Sequence, residues 1–152
     1  MYLLFIFLLS FADPFSVGKA CRAKLAEIQQ NAELLLEEVS RKEGVRQIKP
    51  GKLYFKTLKE GNGSIPIKPT DAPTIRYTSY VMEGEEDLPC PLEEPKKIRL
   101  EYCFPGLRDG ITGMTKGEIR RIYIHPELTH GKYGPLAPYG LNFYDVELIE
   151  NE

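Results

Sequence analysis

The chain has 152 residues, 42% of them hydrophobic and 11% aromatic, enough for one packed domain with an appendage. Its 20 basic and 22 acidic residues leave a net charge of −2, which excludes the basic surplus that nucleic-acid binding requires. Three cysteines (Cys21, Cys90, Cys103) and two histidines show no CxxC and no zinc-type spacing, so neither a metal nor another cofactor is expected.

Met1 to Ala12 carries no charge, and Tyr2 to Leu9 is almost wholly apolar. A bilayer-spanning helix needs about 20 residues, so this stretch is too short to be one. Its length suits the apolar region of a secretory signal, and Ser10-Phe11-Ala12 supplies small residues for cleavage. Residues 1–12 are therefore expected to be a signal peptide, placing the protein in the periplasm or at the cell surface. The missing positive start leaves a second reading open: an apolar segment packed on the domain of a cytoplasmic protein.

Residues 13–45 form the next unit, with a helix expected from Ser16 to Glu43. Leu25, Ile28, Ala32, Leu35 and Val39 recur at spacings of three and four, which draws one apolar stripe. Gly44 follows as a natural stop. The stripe calls for a partner, either the helix of a second subunit in a homodimer or the chain's own globular domain.

After Pro50-Gly51 the period changes to two. Strands are expected at Leu53–Leu58, Thr74–Val81 (with Ile75, Tyr77 and Ser79 on one face), Lys97–Tyr102 (Ile98 and Leu100 inward), Ile119–His125 and Asn142–Ile149. One short helix fits Phe104–Thr112. Glu83–Pro95, acidic and proline-rich, reads as an exposed loop, and Pro126–Tyr139 as a long one. Lys116, Arg120 and Arg121 read as a solvated basic face. Residues 50–152 thus form an antiparallel α+β domain of five strands and one short helix.

Several segments then carry a resemblance. They are Tyr77-Thr78; Cys103-Phe104-Pro105-Gly106-Leu107-Arg108-Asp109-Gly110-Ile111; Gly113-Met114-Thr115-Lys116-Gly117; Arg120 through Pro126; Gly131 and Gly134; and Tyr144-Asp145-Val146-Glu147-Leu148. In this order they resemble an FKBP-type peptidyl-prolyl cis/trans isomerase domain. The stretch from Glu43-Gly44-Val45 through Gly51 to Gly63 is similar to the helix-to-domain junction of the Mip-like and FkpA-like exported bacterial branch. The resemblance covers about residues 25 to 150. It implies a twisted half-barrel sheet of five antiparallel strands wrapped on one short helix, preceded by an N-terminal helix that dimerises in the family. It implies proline-containing unfolded or exported polypeptides as partners.

Rotation about an X-Pro bond costs about 18–20 kcal/mol because it breaks amide resonance. Catalysis needs no nucleophile; a dry hollow that grips proline and favours the twisted amide suffices. By resemblance, Tyr77, Phe104 and Tyr144 form the catalytic hollow, with the Phe104 N–H meeting a substrate carbonyl. Asp87, Cys103, Leu107, His130 and Leu136 would complete substrate binding. Four departures from the family pattern stand out. Leu107 replaces a tryptophan, Asp87-Leu88 reverses a Phe-Asp pair, His130 replaces a tyrosine, and Lys96 stands where a phenylalanine is common. Together they predict weak turnover and poor affinity for macrolide inhibitors. A non-catalytic chaperone or peptide-binding module on the same fold is the competing expectation, and a structural interaction domain built around the helix is the third. In an oxidising compartment Cys90 and Cys103 are candidates to pair.

Overall fold

The computed structural model describes residues 27, 30–83, 86–91, 94–129 and 141–151, with backbone alone for 81–83 and 86–91. Residues 1–12, Cys21, Leu25, Ile28, His130 and Leu136 lie outside the described residues. In chain order a helix over residues 30–40 (α1) precedes β1 (Val45–Lys49), β2 (Leu53–Lys59), β3 (Thr74–Glu83), β4 (Glu86–Pro91), β5 (Lys96–Lys97), α2 (Pro105–Ile111), β6 (Ile119–Ile124) and β7 (Leu141–Glu150). The strands pair antiparallel in the order β1-β2-β6-β7-β3-β4, with β5 beside the start of β3. The expected α+β architecture forms, and the sheet is extended at both ends.

Both extensions have a physical reason. β1 is joined to β2 by a tight turn in which Pro50 and Gly51 hold the central positions. Gly51 has φ +65° and the Lys52 N–H donates to the Lys49 carbonyl at 3.1 Å, as a type II turn requires. β4 falls where a loop was expected. Its Pro89 and Pro91 sit opposite Tyr80 and Thr78 at the rim of the sheet, where a strand needs hydrogen bonds on one side only. The strand expected at Lys97–Tyr102 is reduced to Lys96–Lys97. Beyond it Ile98 and Leu100 donate to the Pro73 and Asp71 carbonyls, drawing the chain into a 3-10 turn at Leu100–Tyr102. Leu100 is nonetheless fully buried, as expected. Leu58 is exposed, because the register slips between Thr57 and Lys59.

Alternation along the strands sorts the core into two faces. The inner face carries Leu53, Ile75, Ile122, Ile124, Tyr144, Val146 and Leu148, closed by Leu107 and Ile111 of α2 together with Leu100 and Met114. The outer face carries Tyr54, Tyr123, Leu141 and Phe143. Ala32, Leu36 and Val39, spaced i, i+4 and i+7 on α1, cover it. Burying Leu36 alone contributes about 2 kcal/mol. Of the expected stripe, Ala32 and Val39 are thus engaged by the chain's own sheet, with Leu36 rather than Leu35 the fully buried leucine between them. Gly44, with φ +79°, ends the turn between α1 and β1 as expected of a left-handed stop.

Candidate functional site

Tyr77 on β3 and Tyr144 on β7 share the inner face. Tyr77 pairs with Val146 and Ser79 with Tyr144, so the two tyrosines are diagonal neighbours. Their rings meet edge to face, centroids 6.1 Å apart at 62°. Phe104 reaches the same spot from the start of α2, its ring 5.8 Å from that of Tyr144. Pro105 forces Phe104 out of the helical region; it takes φ −63° and ψ 149° and serves as the cap residue before the first turn. The three aromatics expected to form the hollow are brought together by three separate elements.

α2 is set against the sheet with no spare room. A methyl group added at Gly106 would lie 2.2 Å from Ile124 Cγ2, and one at Gly110 2.5 Å from Ile122 Cγ2. Only glycine permits this approach. The helix is tied at its end by Arg120, whose guanidinium donates to the Gly110 carbonyl at 2.9 Å and the Thr112 carbonyl at 3.3 Å. A cation there also opposes the negative end of the helix dipole. Arg120 is held by Glu118 at 2.7 Å and lies over the Phe55 ring. Asp109 of α2 bridges to Lys49 of β1 at 2.7 Å and to Arg108 at 3.0 Å. Burial pushes the Asp109 carboxyl up, but Lys49 and Arg108 outweigh it and hold the group below the usual carboxylate range.

Leu107 is 6% exposed and belongs to the inner core against which Phe104 packs. Cys103 is half-buried beside it, a free thiol donating to the Arg99 carbonyl at 3.6 Å. Burial raises the thiol above its ordinary value, against the pull of the Arg108 charge. The backbone of Asp87 pairs with Met82, five residues along β3 from Tyr77. That is about 17 Å from Tyr77 at about 3.4 Å per residue, and about 10 Å along the strand from Ser79, the partner of Tyr144. Cys90 lies opposite Ser79 on the rim strand, and Lys96 is exposed opposite Ile75.

The burial of Tyr144, only 9% exposed, pushes its phenol up to about 12, with Tyr77 adding to the shift. The phenol is therefore neutral throughout the physiological range. Together the three rings form an aromatic cluster packed on the inner core. Among the described residues no three His, Cys, Asp or Glu side chains converge on a metal-binding point.

The basic face expected on β6 is corrected for two of its three residues. Lys116 is exposed, but Arg120 is 7% exposed, and Arg121 is half-covered on the outer face. Arg121 grips Asp145 with two hydrogen bonds of 2.6 and 2.7 Å, beside the rings of Tyr80 and Phe143. The Asp145 of the closing motif is thus a structural clamp on the face opposite the hollow.

The family model for FKBP-type peptidyl-prolyl cis-trans isomerase matches residues 63–149. The chain is 38% identical over 130 residues to the peptidyl-prolyl cis-trans isomerase Mip of Chlamydia trachomatis, covering 84% of this chain and 53% of that protein. It is 30% identical over 117 residues to the FKBP-type peptidyl-prolyl cis-trans isomerase FkpA of Escherichia coli K12, covering 75% of this chain and 43% of that one. The chain therefore spans about half the length of the curated relatives it matches. The crystal structure of Escherichia coli FkpA superimposes with a TM-score of 0.77 at 23% identity, covering 90% of this chain and 65% of that chain, which is a likeness of fold.

Proposed function

The chain belongs to the FKBP-type peptidyl-prolyl cis-trans isomerase family, and from that premise we propose that it isomerises X-Pro bonds in unfolded polypeptides. The observation that carries this reading is the convergence of Tyr77, Phe104 and Tyr144 on one apolar spot. Proline enters the hollow between these rings, and Leu107 and Cys103 support its floor and rim. Desolvation of the amide beside the ring favours the twisted state, whose resonance is already lost, over the planar one. His130 and Leu136 belong to the proposed site on resemblance alone.

Turnover is slow in this proposal. Leu107 gives a smaller and less polarisable floor than the family's indole, and Asp87 pairs with Met82, five residues along β3 from Tyr77. These two departures favour the second reading, a peptide-holding module with the same fold. Export directed by residues 1–12 belongs to the proposal, as does action on newly translocated chains. A homodimer would use surfaces other than Ala32, Leu36 and Val39, which the sheet already covers. The test is refolding of a protein limited by proline isomerisation. Acceleration of the slow phase supports the isomerase. An unchanged slow phase with suppressed aggregation supports the holding module.

A further inference from the structure

His125 follows β6 directly, and its N–H donates to the Lys52 carbonyl at 2.8 Å, extending the ladder by one residue. Alternation places it on the side of Tyr123, the face that α1 covers. Its side chain is 1% exposed. Nδ1 accepts a hydrogen bond from the Glu127 N–H at 3.2 Å, so the single proton of the neutral ring sits on Nε2. Nε2 is buried and has no hydrogen-bond partner among the described residues.

We propose that His125 is an acid-sensitive latch, and that its protonation releases α1 from the outer face of the sheet before the rest of the domain unfolds.

The second proton must go to Nδ1, which already faces the Glu127 N–H. Donor then meets donor, and the bond to residue 127 is lost. A positive charge is also created where water does not reach. The charged groups around the ring come from three elements. Lys52, at the start of β2, opposes the imidazolium, whereas Glu127 beyond β6 and Glu33 on α1 favour it. Glu127 is itself bound to Lys52 at 2.6 Å. Burial dominates, so the folded state resists protonation of this ring.

The cost is relieved where the structure is cheapest to open. α1 is held through Ala32, Leu36 and Val39, with Leu35 partly buried, and a helix draws most of its stability from such packing of its apolar face. The inner core of β2, β3, β6, β7 and α2 shares none of these contacts. Lifting α1 admits water to the imidazole and bares Tyr54, Tyr123, Leu141 and Phe143. The sign follows from the linkage. Docking is complete above the ordinary imidazole range of about 6.5 and weakens as the pH falls below it.

Hydrogen exchange of the full chain, corrected for the intrinsic pH dependence of exchange, tests this at about pH 7.5 and about pH 5. Amides of residues 30–40 should lose about tenfold or more of their protection at the lower pH, while those of β7 keep theirs. His125→Asn retains an acceptor near the Nδ1 position and does not titrate, so its α1 protection should be independent of pH. Glu33→Gln, on the exposed side of α1, removes a favourable neighbour and should move release to higher pH. Unchanged α1 protection in the wild type overturns the proposal, as does the same loss in His125→Asn. If that variant fails to fold, magnetic resonance of the wild-type imidazole decides. A His125 titration that does not coincide with α1 release also overturns the latch.

Discussion

The rings of Tyr77 and Tyr144 meet edge to face, their centroids 6.1 Å apart. This contact joins the two longest strands on the inner face of the sheet, and Phe104 completes it from the head of α2. Tyr144 is part of the buried inner core, and truncating it to alanine would cost about 3–5 kcal/mol in stability. Tyr144→Leu is the more informative change. It should fold, yet lower kcat/KM for a proline peptide by about tenfold through loss of the aromatic wall.

The buried phenol also has a spectroscopic signature. Its folded-state value is raised, so it contributes stability that is complete below the ordinary tyrosine value of about 10. That contribution is lost as the pH rises through about 12. An ultraviolet tyrosinate titration should show a late-titrating tyrosine that disappears in Tyr144→Phe. Activity should not change between about pH 7 and about pH 9 on account of this group.

Gly110→Ala should displace α2, because the new methyl would lie 2.5 Å from Ile122 Cγ2. A cost of about 1–3 kcal/mol is expected from overpacking. Since Phe104 and Leu107 travel with α2, kcat/KM should fall even in variant that remains folded. Urea unfolding and peptide kinetics on the same preparation check both effects.

The Arg121–Asp145 clamp gives the opposite pattern. Asp145→Asn breaks a two-point charged contact on the outer face and should cost about 1.5–3 kcal/mol. Isomerase kinetics at a temperature where the variant is folded should be close to wild type, because the clamp lies across the sheet from the hollow.

Acid should weaken the tie between β1 and α2. Burial raises the Asp109 carboxyl, yet Lys49 and Arg108 leave it lowered overall. The stability it contributes is present above the ordinary carboxylate value of about 3.9 and is lost as the pH falls through the lower folded value. Asp109→Asn should remove that part of the acid dependence in denaturant titrations run from about pH 6 to about pH 2.

Much of this architecture is legible in the chain itself. The compact stretch Phe104–Thr112 marks α2, and the alternation of Ile75 and Tyr77 marks the inner face of β3. The ordered glycines and the closing Tyr144 to Leu148 strand point to the fold. β4 escapes because acids and prolines signal a loop unless the strand is known to lie at a rim. β1 escapes because its polar residues, half-exposed at the other rim, carry no apolar period. Arg120 and Arg121 read as a charged surface, since a sequence does not display the helix-end carbonyls or the carboxylate that bury them. His125 stands before a proline, and nothing in its local sequence signals that it is buried.

The central claim is that the Tyr77–Phe104–Tyr144 hollow turns an X-Pro bond. The most direct measurement is exchange spectroscopy on a short X-Pro peptide with a catalytic quantity of the protein. Cis/trans interconversion is slow when unassisted, taking tens to hundreds of seconds. The account predicts a rate that rises in proportion to wild-type protein and falls by about tenfold with Tyr144→Leu. An interconversion rate unchanged by folded wild-type protein would contradict it.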